Sequence, residues 1–282
     1  MRRSATLSAH AKVNLFLDVT EKRSDGYHNI LTVFQEIGLK DSLKIELRET
    51  PDIEVWSEPV IRDNIVEKAF QVLVKRAGLS RGFNVDLTKG IPMAAGLGGG
   101  SSDAAAFMKF VLDEGYANPP KDGWERLAVE VGSDVPFFLK GGCSLARGRG
   151  EILEPVRHRA ILPLVVVWPG FPMATSERYA RLDSRKFGAG GSRLEGLLEG
   201  LRSADLEKVS ANLYNVFEER AYADYPGLKK LKRDMLDAGA LNALMSGSGS
   251  SVFGIFKDPS SARSARERLS VVYKDVFTTK TI

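Results

Sequence analysis

The sequence predicts an α+β fold in two domains. Three observations carry that expectation. Helical and extended segments follow one another without the strict alternation of a parallel βα sheet. No internal repeat is visible. At 282 residues the chain is long enough for about two domains, or one large one. The boundary is placed just after Pro155, giving parts 1–155 and 156–282.

The first strand is read from "AKVNLFLDV". Ala11, Val13, Leu15, Leu17 and Val19 share one face; Lys12, Asn14, Phe16 and Asp18 share the other. A polar turn centred on Asp25-Gly26 follows, and "LKIEL" at 43–47 alternates again. "NIVEKAFQVLVK", from Asn64, has apolar residues near helical spacing and ends at Gly78. "FNVDL" at 83–87 reads as a strand. Ser101 and Ser102 sit where an N-cap belongs, so a helix is expected from about Ser101 to Glu114, closed by Gly115.

"NPP" at 118–120 breaks the chain, and Trp124, Leu127, Ala128 and Val131 make the next helical face. "CSLARGRGEILEPV" reads as strands about an Arg-Gly turn, and "LPLVVVWP" as a buried strand. "DSRKFGAGGSR", 183–193, is expected to be a mobile loop. Helices resume near Leu194, Leu206 and Tyr225. "ALMSGSGSSVFGIF" reads strand, glycine turn, strand; a last helix and strand close the chain.

Composition sets outer limits. The chain is 43% hydrophobic and 27% charged, an ordinary globular mixture. A net charge of +4 tolerates anionic ligands without demanding nucleic acid or a membrane. Cys143 is the only cysteine, so no internal disulfide forms and a reducing, cytoplasmic setting is expected. Its expected place is the core. The apolar run at 161–168 is too short to span a bilayer. The basic start "MRRSATLSAHAK" lacks the apolar centre of a secretory signal.

The most informative stretch is "PMAAGLGGGSSDAAA", 92–106. The first N–H groups of a helix have no partner inside it, and its dipole attracts anions there. Glycines before it let the chain curl and bring further N–H groups to a phosphate. Serine hydroxyls add donors. The alternative is a glycine turn with a good cap. A Walker loop is excluded because no lysine precedes the serines. A dinucleotide fingerprint is also poorly matched, since no acidic residue ends a following strand at the expected place.

This stretch closely resembles the phosphate-binding motif of the GHMP kinases, named for galactokinase, homoserine kinase, mevalonate kinase and phosphomevalonate kinase. "SAHAKVNLFLDV" resembles the family's first motif and "MSGSGSSVFGIF" its third, in the same order. "AKVNLFLDVTEKRSDGYHNI" and "VGSDVPFFLKGG" are narrower. They resemble a branch whose acceptor is a small alcohol bearing a cytidine diphosphate group, within the non-mevalonate route to isoprenoids. The resemblance implies the two-domain GHMP fold with the active site in the interdomain cleft. It also implies transfer of the γ-phosphate of ATP to an acceptor hydroxyl, with Mg²⁺ carried on ATP. No histidine or carboxylate cluster has metal-ligand spacing. No nucleic acid or membrane partner is implied, and the chain would be a monomer or weak homodimer. Rival expectations are a mevalonate- or homoserine-type kinase and a nucleotide-binding regulator of the same fold that has lost catalysis.

By that resemblance, Asp134 would accept the acceptor's proton, and Lys12 would steady the transferred group and hold Asp134 ionised. A solvent-facing Lys12 and an Asp134 helix cap are the plainer alternatives. Asn14 would position substrate or Lys12, or bond the backbone. Asn64 would contact adenine, or cap its helix. Pro92, Gly96, Gly98, Gly99, Gly100, Ser101 and Ser102 would carry the ATP phosphates. Asp103 is left outside the site, because a carboxylate there would repel phosphate. Tyr27 and His28 would hold the cytidine, with Tyr179 or Phe171 as a second stacking face, Tyr179 favoured. Gly247, Ser248 and Gly249, in the turn from Ser246 to Ser251, would approach the substrate diphosphate.

Overall fold

The computed structural model describes residues 3–118 and 123–282. Pro119 and Pro120, in the expected break, lie outside the described residues. The chain forms two compact units, grouped by contact rather than by position along the chain. One takes the residues up to Ala11, Lys40–Pro92 and Gly98–Gly141; the other takes Lys12–Leu39, Met93–Leu97 and Gly142–Ile282.

Two long strands, β1 (Ser4–Lys22) and β2 (His28–Arg48), supply residues to both units. Every residue of β1 from Ala11 to Val19 is buried. The alternation in this stretch therefore separates two covered faces, and Lys12 does not face solvent. β2 begins fifteen residues before the expected "LKIEL" segment, since His28 is its first residue and Leu43 lies well inside it.

In the first unit, β3 (Ile53–Glu58) runs parallel to β4 (Gly82–Thr88), and β4 pairs antiparallel with β2 between Ser42 and Arg48. Four helices accompany this sheet: α1 (Ile65–Ala77), α2 (Gly99–Asp113), α3 (Trp124–Val131) and α4 (Val135–Lys140). α1 packs on α2 and α3, and α2 packs on α4. Phe83 of β4 meets Phe107, Phe110 and Tyr116 edge-on, with centroids 5.4, 6.2 and 5.5 Å away. Such edge-to-face rings add to their burial energy. α1 starts and stops as expected: the Asn64 side chain accepts from the Val66 N–H at 3.0 Å, and Gly78 closes it in the left-handed region.

α2 begins earlier than expected. Its N-cap is Gly98, with φ 72°. Ser101 and Ser102 are therefore not the capping residues; they lie in the first turn. The chain enters this helix through a left-handed turn, which a serine tolerates poorly and a glycine readily.

In the second unit, β5 (Cys143–Arg147) pairs with β2 and with β6 (Ile152–Pro155). A separate antiparallel sheet contains β7 (Pro163–Trp168). The short β8 (Tyr214–Asn215) runs parallel to β1 at Phe16 and Leu17. The separate sheet also holds β9 (Asn242–Met245), β10 (Val252–Ile255) and β11 (Asp275–Lys280), in the order β11-β7-β10-β9. Its helices are α5 (Thr175–Ala180), α6 (Gly191–Ser203), α7 (Leu206–Ala211), α8 (Glu218–Asp224), α9 (Pro226–Asp237) and α10 (Pro259–Leu269). Val165, Val167, Leu228, Leu231, Met235 and Phe256 are among the residues that close its core. α10 opens with a capping box in which Asp258 and Ser261 satisfy each other's backbone N–H groups.

The stretch 183–193 is not a structureless loop. A short 3₁₀ turn at Ser184–Lys186 leads into α6. Asp18, at the end of the buried run of β1, accepts from the Gly190 N–H at 2.8 Å, and Gly188 donates to the Val19 carbonyl at 3.0 Å. The glycines here serve close approach, since a Cβ on Gly190 would enter the Tyr214 ring. Cys143 is buried and unpaired, with burial pushing its thiol up to about 12, which suits a core residue. Among the described residues, no helix is long and apolar enough to cross a membrane.

Candidate active site

Lys12 is buried in β1 and its ammonium donates to Asn14 Oδ1 at 2.7 Å. The Asn14 amide donates onward to Thr32 Oγ1 at 2.8 Å, and the Thr32 hydroxyl donates to the Phe16 carbonyl at 2.5 Å. The ammonium also lies 5.1 Å from the centre of the Phe34 ring. A buried ammonium is expensive unless its donors are satisfied. This chain of polar groups supplies one acceptor and fixes the direction in which Asn14 presents it. Asn14 thus bridges Lys12 and Thr32 of the neighbouring strand β2.

The backbone of Lys12 donates to the Leu97 carbonyl at 2.9 Å, which ties β1 to the glycine-rich turn. That turn meets the β9–β10 turn closely. Ser246 Oγ donates to the Gly96 carbonyl at 2.9 Å, and the Ser251 N–H donates to the Ala95 carbonyl at 3.1 Å. Gly96 has φ 77°, and a Cβ on it would overlap the Ser246 carbonyl oxygen. Gly247 is as constrained: a Cβ there would come within 3.1 Å of the Gly96 carbonyl and 3.4 Å of Asn14 Oδ1. Ser248 Oγ lies 2.9 Å from Thr175 Oγ1. Gly249 has φ 92°, and a Cβ on it would press on Met173 and Met245 sulfurs. The two glycine turns and the Lys12 strand are therefore one constructed surface.

In the first unit, α2 presents its N-terminus without an acidic residue in the first turn. The first bonded amide is Ser102, which donates to the Gly98 carbonyl at 2.9 Å. The N–H groups of Gly99, Gly100 and Ser101 come before it and have no backbone acceptor among the described residues, as expected of a helix start. Pro92 lies in the connection between β4 and α2 and is partly buried. Asn64 spends Oδ1 on capping α1, and its Nδ2 is buried with no hydrogen-bond partner among the described residues. Its two expected roles are compatible, since they use different atoms. Asp134 immediately precedes α4 but makes no capping hydrogen bond to it.

A separate aromatic group surrounds His28. Its ring stacks on Tyr179 at 4.9 Å and 28°, and Phe187 meets it edge-on at 6.0 Å. Tyr179 in turn meets Phe217 edge-on at 4.9 Å. Burial, with a smaller contribution from Lys22, holds the His28 imidazolium form back, so its pKa lies below the ordinary value. Tyr27 is half exposed, with the Arg149 guanidinium 3.9 Å above its ring. Phe171 stacks instead on Tyr225 at 5.3 Å, in a different group.

Several contributors are not apparent in the sequence. Thr32 sits in an apolar run and gives no local sign of its bond to Asn14. Asn215 donates to the Met245 and Gly247 carbonyls at 2.7 and 2.8 Å, holding the β9–β10 turn from outside. Its placement between apolar residues in "LYNVF" is the only hint. Phe187 was hidden in the segment expected to be a loop.

Comparison with known proteins decides the family. The models "GHMP kinases N terminal domain" and "GHMP kinases C terminal" match residues 64–142 and 197–275. The chain belongs to the GHMP kinases. A curated relative from Alkaliphilus metalliredigens, named 4-diphosphocytidyl-2-C-methyl-D-erythritol kinase, is 37% identical over 95% of this chain and 93% of its own. A solved 4-(cytidine 5'-diphospho)-2C-methyl-D-erythritol kinase superposes with a TM-score of 0.84 at 34% identity, covering 98% of this chain and 99% of that one. A homoserine kinase from Cytophaga hutchinsonii superposes at 0.77 with 18% identity, covering 100% and 95%, and so shares the fold. As a GHMP kinase, the protein is a phosphotransferase that takes ATP as co-substrate and a small molecule as acceptor.

Proposed function

We propose that this GHMP kinase transfers the γ-phosphate of ATP to the 2-hydroxyl of 4-diphosphocytidyl-2-C-methyl-D-erythritol, a step in isoprenoid precursor synthesis. The observation that carries the reading is the likeness to relatives of that name along nearly the whole chain, 37% in one case. The aromatic group at His28 supports it, because a pyrimidine needs a flat apolar face and an edge that can both donate and accept.

Phosphoryl transfer requires positioning and charge neutralisation more than covalent chemistry. In this reading Gly96, Gly98, Gly99, Gly100, Ser101 and Ser102 offer N–H and hydroxyl donors to the ATP phosphates. Pro92 shapes the approach to that turn. Asn64 Nδ2 supplies the donor that adenine would accept. Lys12, held by Asn14, places a positive charge on the moving phosphoryl group, and Asp134 takes the proton of the acceptor hydroxyl. His28 and Tyr179 hold the cytosine, with Tyr27 at its edge. Gly247, Ser248 and Gly249 present backbone donors to the acceptor's diphosphate. Phe171 is set aside, because it belongs to a different aromatic group, with Tyr225, and not to the one around His28.

Magnesium would enter on the ATP phosphates, keeping several of its waters and needing few protein ligands. Among the described residues, no three His, Cys, Asp or Glu side chains gather as a site of their own. The division of the chain near Pro155 belongs to the same proposal, with Lys12, the phosphate turn and Asp134 before it and the Ser246–Ser251 turn after it. A cytoplasmic monomer or weak homodimer is the setting proposed.

The test is an acceptor panel. Purified protein should form ADP with the cytidyl acceptor and leave mevalonate and homoserine untouched. Turnover of either of those alone would overturn the acceptor assignment. ATP binding without turnover of any acceptor would overturn the kinase reading in favour of a regulator.

A further inference from the structure

Beneath the N-terminus of α2 lies a buried ionic cluster with two acids and one base. Lys89, just after β4, donates to Asp41 of β2, and to Asp103 Oδ2 of α2 at 2.8 Å. All three side chains are less than a tenth exposed. The cluster is adjacent to the helix start, since a Cβ on Gly99 would lie 3.3 Å from Asp41 Oδ2.

The two carboxyl groups are not equivalent. Asp41 receives three donors: the Lys89 ammonium on one oxygen, and the Gly90 and Ile91 N–H groups on the other at 2.6 and 2.8 Å. Those donors compensate a full negative charge. Asp103 receives only Lys89, and its Oδ1 is buried with no hydrogen-bond partner among the described residues. A buried carboxylate with one oxygen bare is poorly stabilised when ionised. Asp41 and Asp103 share the single Lys89 ammonium, so the two carboxyl groups lie close together. One ammonium cannot neutralise two buried carboxylates, so a proton is the economical remedy.

We infer that Asp103 stays protonated in the working enzyme, so that the Asp41–Lys89–Asp103 cluster is electrically neutral and leaves the start of α2 attractive to an anion. This rests on the reading of that helix start as the ATP phosphate site. It explains how an aspartate can stand two residues past Ser101 without repelling phosphate. Asp103 is a positioning residue: it steadies the loop through Lys89 and contributes no charge. The direction of its ionisation agrees. Burial, opposed by Lys89 and reinforced by Asp41, raises its pKa to about 8. Lys89 and Asp41 are the charged groups that face it.

The sign follows from proton linkage. A group that binds its proton more tightly when folded stabilises the fold fully below its unfolded value of 3.8 and loses that contribution as pH rises towards 8. Asp103→Asn mimics the protonated acid and removes the titration. The Tm advantage of the variant over the wild type should vanish only as pH falls below 3.8 and should widen progressively from pH 4 up to pH 8. A Tm below wild type near pH 7 would show that Asp103 is an ionised partner of Lys89, and would overturn the inference. This measurement needs no substrate, so it stands even if the phosphate-site reading fails. A second readout tests the link to ATP. The ratio of wild-type to variant KM for ATP should be near one at pH 6.5 and rise ~3-fold by pH 9, as a buried charge appears near the phosphates. The ratio of KM values for the acceptor should stay flat. An ATP ratio that does not change with pH would break the electrostatic argument. If the variant fails to fold, ¹³C-carboxyl NMR of the aspartate-labelled wild type should show one carboxyl titrating near pH 8; its absence would be equally decisive against.

Discussion

Ser246 donates its hydroxyl to the carbonyl of Gly96, joining two glycine turns that are 150 residues apart in the chain. At this contact no side chain can be added to Gly96, because its φ is positive and the Ser246 carbonyl occupies the Cβ position. Gly96→Ala should therefore lower Tm and raise KM for ATP more than tenfold. Left-handed strain alone is about 1 kcal/mol, and the overlap adds to it. Ser246→Ala removes one hydrogen bond and should cost only about 1 kcal/mol in a urea melt. Equal effects from both would show that the contact, not the backbone geometry, matters.

Lys12→Met should leave the fold intact and reduce kcat by ~10²–10³, as loss of a preorganised charge at a reacting group does. Asn14→Ala should reduce kcat less, with Lys12 still present but lacking the Asn14 acceptor. An Asn14 variant as slow as the Lys12 variant would mean that the ammonium is useless without its support. A kcat unchanged in both would remove the pair from the chemistry.

Asp134→Asn should keep the far-UV spectrum and the ATP affinity, and lose ~10²–10⁴ in kcat, the usual worth of a positioned proton acceptor. Its lack of a capping bond to α4 is the reason no helix should melt. Near-normal turnover would exclude Asp134 as the acceptor of the proton.

His28→Ala should raise KM for the cytidyl acceptor and leave KM for ATP alone. The pH dependence gives a second check. Desolvation holds the pKa of His28 below 6.5, so the ring is neutral at pH 7 and keeps one nitrogen able to accept. The acceptor KM should be flat from pH 7 to 9 and climb at some pH below 6.5, as the ring takes up a proton. A dependence that survives in the alanine variant belongs to another group.

Much of this architecture was legible in local patterns. Apolar alternation marked β1, and Asn64 and Gly78 bracketed α1. The composition of 92–106 announced a turn before a helix. The capping residue was misplaced by the same signal, because serine is the commoner cap, whereas the backbone needs a left-handed residue at Gly98. The stretch at 183–193 was misread for a related reason. Its glycines looked like freedom, but they allow close packing against Asp18 and Tyr214. Least legible were contacts between distant residues. Asp103 meets Lys89 and Asp41 from separate elements, and Asn215 reaches the turn after Met245. No window of sequence contains either arrangement.

The chain passes between its two compact units at residues 11–12, 39–40, 92–93, 97–98 and 141–142. Neither unit is therefore a continuous run of polypeptide, and no single nick or truncation releases one from the other. A gene fragment encoding half of this protein would deliver pieces of both. Cutting the polypeptide at any one point therefore does not separate the two units as modules.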